Sequence, residues 1–227
     1  MRKIKDYIKF KNLVILLLIF ILFYFSSLFR LIPISLFKID PNNANNKVLL
    51  TLFSDLCLLL ILILIYRKEL IKEFKIFKNN AIKVIDISTK CWIIGLFFMF
   101  ATNILINIVF KAGGANNEKL VQQMISSSPI IMLITAGIIA PMIEELIFRK
   151  SFRNAFPNKY LFIIISSLVF GLLHVISSSN LVGLLYIIPY TSLGLAFAIA
   201  YYKTDTIFSS LFIHILHNFI LILLAII

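Results

Sequence analysis

The sequence predicts an all-α polytopic membrane protein with about seven transmembrane helices. Of its 227 residues, 61% are hydrophobic and only 14% are charged, and the mean hydropathy is +1.01. A soluble domain has about 25% charged residues and about 45–50% apolar residues. This composition therefore excludes a soluble enzyme, a disordered chain and a secreted disulfide scaffold.

Seven apolar runs have the length of about 17–25 residues that a membrane-spanning helix needs. The first follows a basic N-terminal stretch, as the apolar part of a signal peptide does. It lacks a small-residue cleavage site and its apolar part is too long, so we expect an uncleaved signal anchor. The predicted spans are residues 12–30, 48–66, 91–110, 129–153, 160–177, 181–202 and 206–227.

Lysine and arginine are distributed unevenly between the predicted loops. Seventeen of the 22 precede the first span or lie in the segments 67–90, 149–159 and 203–205, and five lie in the other loops. Because basic residues favour the cytoplasmic side, we expect a cytoplasmic N-terminus and an external C-terminus in the cell membrane. The same rule accounts for the net charge of +12, so no nucleic-acid partner is expected.

The segment 67–90 combines positive charge with helical periodicity. Leu70, Phe74, Phe77 and Ala81 recur at helical spacing with lysines between them. This pattern predicts an amphipathic helix that lies on the cytoplasmic leaflet of the bilayer. A solvated charged loop is the alternative that the pattern leaves open.

Ionisable side chains inside the predicted spans are few, and each is costly enough in a bilayer to suggest a function. Adjacent glutamates interrupt the fourth span, one histidine lies in the fifth, and two more lie beside an asparagine in the seventh. An aspartate in the second span, Asp55, has no assigned role. The other residues of this group are Glu144, Glu145, His174, His214, His217 and Asn218.

The two glutamates point about 100° apart on a helix, so we expect them to have different roles. Glu145 has Arg149 four residues on, on its own face, which predicts a structural ion pair. Glu144 has an apolar residue there and is left as the working carboxylate, and Pro141 should kink the helix just before it. In the alternative, both glutamates are charges at the cytoplasmic end of the helix, paired with Arg149 and Lys150.

Helix lengths place these polar residues at one depth. Glu144 lies 14 residues before Asn158, in the turn between two spans, and His174 lies 16 residues after it. At about 1.5 Å per residue, both are about 20–25 Å from that turn. His214 and Asn218 are four residues apart, share a helix face and lie at a comparable depth. We therefore expect the four side chains to converge.

This set of side chains is suited to hydrolysis of a carbonyl compound, most naturally a peptide. A carboxylate and an imidazole in a low-dielectric pocket can activate water, and a second histidine with an amide can stabilise an oxyanion. Glu144, His174 and His214 could equally serve as zinc ligands, with water in the fourth position. The sequence has no His-Glu-x-x-His motif and leaves both mechanisms open.

Three short motifs in the C-terminal half resemble those of the CAAX protease and bacteriocin-processing (CPBP) family of intramembrane proteases, also called Abi proteins. Residues 144–149 match two glutamates, three residues and an arginine. Phe170 and His174 match phenylalanine, three residues and histidine, and His214 and Asn218 match histidine, three residues and asparagine. The motifs follow one another on successive apolar helices, which makes the resemblance specific.

The resemblance implies a role for each matched residue. Glu144 resembles the base that activates water, assisted by His174, and His214 and Asn218 resemble the pair that stabilises the oxyanion. The family has no fixed requirement at the position of His217. The other matched residues are expected to support these four: Glu145, Arg149 and Phe170.

The resemblance covers about residues 129–225, so we expect a helical-bundle protease core over 129–227 and further transmembrane helices over 1–128. The implied activity is intramembrane endopeptidase action on a membrane-associated peptide or protein. The family's eukaryotic members remove a tripeptide from prenylated proteins, a substrate not expected in bacteria. The alternatives are a non-catalytic bacteriocin self-immunity protein and a proton-coupled transporter, which the lack of an inverted repeat disfavours.

Overall fold

The computed structural model describes residues 8–111, 114–178 and 180–227, and the regular elements within these ranges are all helices. Two of them contain other helical geometries: α1 has a 3₁₀ turn at Ser26–Arg30, and α5 has two wide π-helical turns. In chain order the helices are α1 (Phe10–Phe37), α2 (Ala44–Asn79), α3 (Ala81–Phe110), α4 (Asn116–Ser127), α5 (Pro129–Ala155), α6 (Lys159–Val175), α7 (Leu181–Leu185), α8 (Ile187–Thr204) and α9 (Ile207–Ile226).

Six helical segments of the described chain are long and apolar enough to cross a membrane: α1, α2, α3, α5, the α7–α8 pair and α9. The remaining predicted span corresponds to α6, whose 17 residues are at the lower limit of spanning length. The prediction of an all-α polytopic membrane protein is therefore confirmed. The side of the membrane on which the N-terminus lies stays a prediction.

The segment 67–90 is helical, as its periodicity indicates, but it is divided between two longer helices, and its position on the membrane surface stays a prediction. Residues up to Asn79 continue α2 without a break, and α3 begins at Ala81. The stretch 67–79 contains neither glycine nor proline that could end a helix. With 36 residues, α2 is about 54 Å long, and it extends well beyond a hydrocarbon core of about 30 Å.

Helix α5 is the central element of the bundle. It packs against α1, α2, α6, α8 and α9, and residues 145–152 are buried without interruption. The buried stretch begins with a glutamate and includes an arginine and a lysine. The surrounding helices therefore enclose polar groups together with the apolar core.

Helices α6 and α8 approach each other closely where Gly194 faces Ser167. A Cβ atom at Gly194 would lie 3.1 Å from the Cα of Ser167 and 3.3 Å from the ring of Phe170. A larger residue would therefore force the helices apart. This approach places the Gly194 carbonyl and the ring of Phe197 beside the polar centre of α5.

Candidate active site

Three helices supply the polar residues at the centre of the bundle. Glu144 and Glu145 lie where the central α-helical segment of α5 passes into the π turn Glu145–Ser151. His174 lies near the end of α6, and His214 lies in the middle of α9, which packs along α5. The sequence motifs are thus brought to a single region of the fold.

The imidazole of His214 lies between the two glutamates. Its Nδ1 is 2.9 Å from Oε1 of Glu145, and its Nε2 is 3.5 Å from Oε2 of Glu144. Both glutamates therefore approach the same imidazole, and the division of roles between them stays a prediction. Because an imidazole has nitrogens on two edges of its ring, carboxylates on neighbouring helix faces can both reach it.

The predicted ion pair between Glu145 and Arg149 is formed. Arg149 Nε lies 3.6 Å from Glu145 Oε2, and both side chains are fully buried. The guanidinium also lies 4.5 Å from the ring centroid of Phe170 and donates to the Gly194 carbonyl at 3.3 Å. We refer to Glu144, Glu145, Arg149 and His214 as the cluster. The ring of Phe170 supports it as a cation–π partner of the Arg149 guanidinium.

Solvent exposure separates the two glutamates more clearly than their contacts do. The side chain of Glu144 is 20% exposed, whereas those of His214 and Glu145 are 3% and 0% exposed. Glu144 is therefore the carboxylate of the pair whose side chain is partly exposed at the surface of the bundle. One of its oxygens, Oε2, is buried without a hydrogen-bond partner among the described residues.

His174 lies beside this cluster, with its ring against Phe170 and Tyr190. Its Nδ1 donates to the Phe170 carbonyl at 2.8 Å, and its ring stacks on Tyr190 with the centroids 4.5 Å apart. Within residues 8–111, 114–178 and 180–227, His174 forms no ion pair within 4.0 Å of Glu144. Depth along a hairpin predicts the height of two residues but not the rotation of their helices, so the joint action of His174 and Glu144 in one site stays a prediction.

Asn218 contacts the backbone of α5. Its Nδ2 donates to the carbonyl of Ala136 at 3.1 Å. In the π turn Thr135–Ile139, the Ala140 N–H donates to the Thr135 carbonyl, five residues earlier. Pro141 has no N–H. The Ala136 carbonyl therefore lacks the backbone donors that a helix normally supplies. Asn218 supplies the missing donor, which is a structural role that the sequence motif does not reveal.

Two residues without an assigned role lie at the edges of the site. His217 is buried on α9. Its ring packs edge-to-face with the ring of Trp92, and the two ring centroids are 6.4 Å apart. Asp55 is half-buried on α2 and lies within electrostatic range of Arg30 and of Glu144. His217 is thus packed beside an aromatic ring, and Asp55 is a third carboxylate near the site.

The expected zinc ligands do not form one group. In the described part of the chain, no three His, Cys, Asp or Glu side chains converge closely enough to hold a metal ion. Glu144 and His214 are adjacent, but His174 stacks elsewhere. The side chains present therefore do not fit the three-ligand zinc site that the sequence left open.

A second buried polar cluster was not anticipated from the sequence. Lys150 Nζ lies 2.5 Å from Oε1 of Glu73, and the Tyr201 hydroxyl donates to the same oxygen at 2.9 Å. The other oxygen of Glu73 accepts from the backbone N–H of Ile207, the first residue of α9, at 2.7 Å. Glu69, one turn before Glu73, also pairs with Lys150. The spacing of Glu69 and Glu73, two acids four residues apart among lysines, is the sequence feature that could have indicated this cluster.

Comparisons with known proteins match the region of the chain that contains these residues. A family model described as type II CAAX prenyl endopeptidase Rce1-like matches residues 126–220. A Bacillus subtilis protein named "Putative membrane peptidase YdiL" is 28% identical over 222 residues, which cover 89% of this chain and 84% of that protein. The "UPF0177 protein YxdF" of Lactococcus lactis is 28% identical over 142 residues, which cover 60% of this chain and 77% of that protein. No solved structure matches the chain significantly.

Proposed function

The chain belongs to the CAAX protease and bacteriocin-processing family, and on that premise we propose that it is an intramembrane endopeptidase in which Glu144 activates the attacking water. The observation that carries the proposal is the contrast in exposure within the cluster. Glu144 is 20% exposed and His214 and Glu145 are almost fully enclosed. A buried carboxylate beside an imidazole, with access to water, is suited to general-base catalysis.

Glu145 prepares His214 for its part in the reaction. With Glu145 ionised beside Arg149, the Nδ1–H of His214 donates to it. Neutral His214 therefore carries its lone pair on Nε2, the atom that faces Glu144. A proton taken up by Glu144 can pass to Nε2, and the imidazolium that results is stabilised by the Glu145 carboxylate.

The proposed hydrolysis then proceeds in two steps. The water oxygen attacks the carbonyl carbon of the peptide bond while one water proton passes to Glu144 and on to His214, and the carbonyl oxygen becomes negative. The tetrahedral intermediate then collapses and the C–N bond breaks. The nitrogen of the leaving amine receives the proton that His214 holds. The new carboxylic acid releases the second water proton.

His174 is proposed to position the water. Its Nδ1 proton is donated to the Phe170 carbonyl, so in the neutral ring Nε2 is an acceptor. An acceptor can hold one hydrogen of the water while Glu144 removes the other. This role agrees with its position beside the cluster, because an assisting imidazole does not need to contact the carboxylate.

The substrate class proposed is a membrane-associated peptide or protein. The helices that carry the site are apolar on their outer faces and buried where they meet, so a substrate reaches Glu144 from within or beside the bilayer. The prenyl group in the name of the matched family is not part of the proposal for this chain.

The test compares the termini of membrane peptides in cells that express the wild type or Glu144→Gln at matched levels. Asp86→Asn serves as a matched carboxylate control, because Asp86 is exposed and pairs only with Lys90 one turn away among the described residues. New cut sites with the wild type and Asp86→Asn, but not with Glu144→Gln, would support the proposal. No difference between correctly inserted proteins would overturn it, and a Glu144→Gln variant that still protected cells from a bacteriocin would favour the immunity alternative.

A further inference from the structure

The proposed active site has many hydrogen-bond acceptors but few hydrogen-bond donors that a substrate could reach. In neutral His174 and His214 the Nδ1 protons are already donated, to a backbone carbonyl and to a carboxylate. Asn218 donates one of its two amide hydrogens to the backbone of α5, and Arg149 is fully enclosed. Hydrolysis of a peptide makes the carbonyl oxygen negative, and that charge needs a donor aimed at it.

Tyr190 on α8 carries a candidate donor beside His174. Its ring stacks on His174 with an interplanar angle of 29° and a centroid distance of 4.5 Å. Its hydroxyl oxygen is buried without a hydrogen-bond partner among the residues that the structure describes, and Glu144 lies within electrostatic range. A buried tyrosine hydroxyl usually has a partner, so this one is left to bond either a side chain of α4 or a group that enters the site.

The packing of α6 on α8 holds Tyr190 in this position. A Cβ atom at Gly171 would lie 3.0 Å from the carbonyl oxygen of Ile187 and 3.1 Å from the backbone nitrogen of Thr191. The two helix backbones therefore approach as closely as a glycine allows. Because Tyr190 precedes Thr191 and His174 follows Gly171 by one helical turn, this contact sets their rings against each other.

We propose that the Tyr190 hydroxyl donates a hydrogen bond to the carbonyl oxygen of the scissile peptide bond, while its ring holds His174 in place. As the water oxygen adds to the carbonyl carbon, the electrons of the C=O double bond move onto the oxygen, and the O–H bond of the phenol stabilises that charge without transferring its proton. This inference rests on the proposed endopeptidase function and adds a catalytic residue outside the three sequence motifs.

A competing role for the hydroxyl is to attach α4 to the bundle. Asn117 and Glu118 of α4 lie close enough to the Tyr190 hydroxyl to interact with it as hydrogen-bond partners, although neither forms a hydrogen bond of good distance and angle with it. If the hydroxyl served mainly to hold α4, removal of the Glu118 carboxylate would have the same effect as removal of the hydroxyl. The two roles are therefore separable by mutation.

The test measures kcat and KM of purified variants on a synthetic peptide that spans a Glu144-dependent cut site. Tyr190→Phe keeps the ring and removes only the hydroxyl, and we expect kcat to fall about 100-fold with little change in KM. Tyr190→Leu also removes the stack and should lose at least as much activity. Tyr202→Phe is the matched control, because Tyr202 lies on the same helix with its ring against Arg153, and it should match the wild type.

Two results would overturn the proposal. One is a Tyr190→Phe enzyme that works at the wild-type rate. The other is a Glu118→Gln enzyme that loses as much kcat as Tyr190→Phe, which would assign the hydroxyl to α4. If Tyr190→Phe does not insert, fluorotyrosine at position 190 keeps the size of the ring and changes the donor strength, and an unaltered kcat would count against the proposal. Failure of the endopeptidase function itself is recognised separately, because wild type and Glu144→Gln would then show the same termini.

Discussion

Nδ1 of His214 lies 2.9 Å from the Glu145 carboxylate, and the other oxygen of that carboxylate faces Arg149 at 3.6 Å. Glu145 thus holds an imidazole from α9 and a guanidinium from its own helix at the same time. Because it is completely buried, it contributes orientation and charge balance to the site. The partly exposed carboxylate next to it, Glu144, is left for the reaction.

Replacing the two glutamates should therefore have different consequences. Glu145→Gln leaves the buried Arg149 without its counter-charge, and we expect the free energy of unfolding to fall by about 3–5 kcal/mol together with loss of activity. Glu144→Gln should lose activity at nearly wild-type stability. Thermal unfolding of both variants in the same detergent measures this difference, and equal losses of stability would contradict it.

The two nitrogens of His174 can be separated by substitution. His174→Asn places an amide nitrogen near the position of Nδ1, which donates to the Phe170 carbonyl, but has nothing at the position of Nε2. We expect nearly wild-type stability with activity reduced about 10²–10⁴-fold. His174→Gln, whose amide reaches the position of Nε2, should retain more activity. The ranking of the two variants by initial rate tests the role of Nε2, and the reverse ranking would exclude it.

Asn218 and Pro141 should be energetically coupled. Asn218→Leu leaves the Ala136 carbonyl without its donor, and we expect a loss of about 1–3 kcal/mol in the free energy of unfolding. The same replacement should cost less in a Pro141→Ala background, because residue 141 then has an N–H that can reach Ala136. A double-mutant cycle of unfolding free energies measures the coupling, and strictly additive losses would show that the explanation of the π turn is wrong.

The buried pair of Glu73 and Lys150 should contribute strongly to stability. Lys150→Met leaves Glu73 buried without a counter-charge and should lower the free energy of unfolding by about 3–5 kcal/mol. Glu73→Gln leaves Lys150 paired with Glu69 and should cost less. The double variant should be more stable than the sum of the two losses predicts. The exposed pair of Asp86 and Lys90 is the control, and its disruption should change stability by at most about 0.5 kcal/mol.

Much of the fold could be predicted because hydropathy is a local property of the chain. Runs of apolar residues located α5, α6, the α7–α8 pair and α9 to within a few residues, and helical periodicity identified 67–90 as helical. The same periodicity could not show that 67–79 belongs to α2 and 81–90 to α3. That distinction depends on whether a helix breaks, and the structure places the break only at Asn80.

The sequence by itself determined the class of the protein, the family motifs and the depth of the polar residues, because composition, spacing and helical rise are all read along one chain. Only the tertiary structure decided which side chains meet. The rotation of α6 and α9 against α5 pairs Glu144 with His214 instead of His174, and the π turn around Ala136 gives Asn218 its backbone partner. These contacts depend on how helices distant in sequence pack against one another, and neither hydropathy nor spacing along a single helix contains that information.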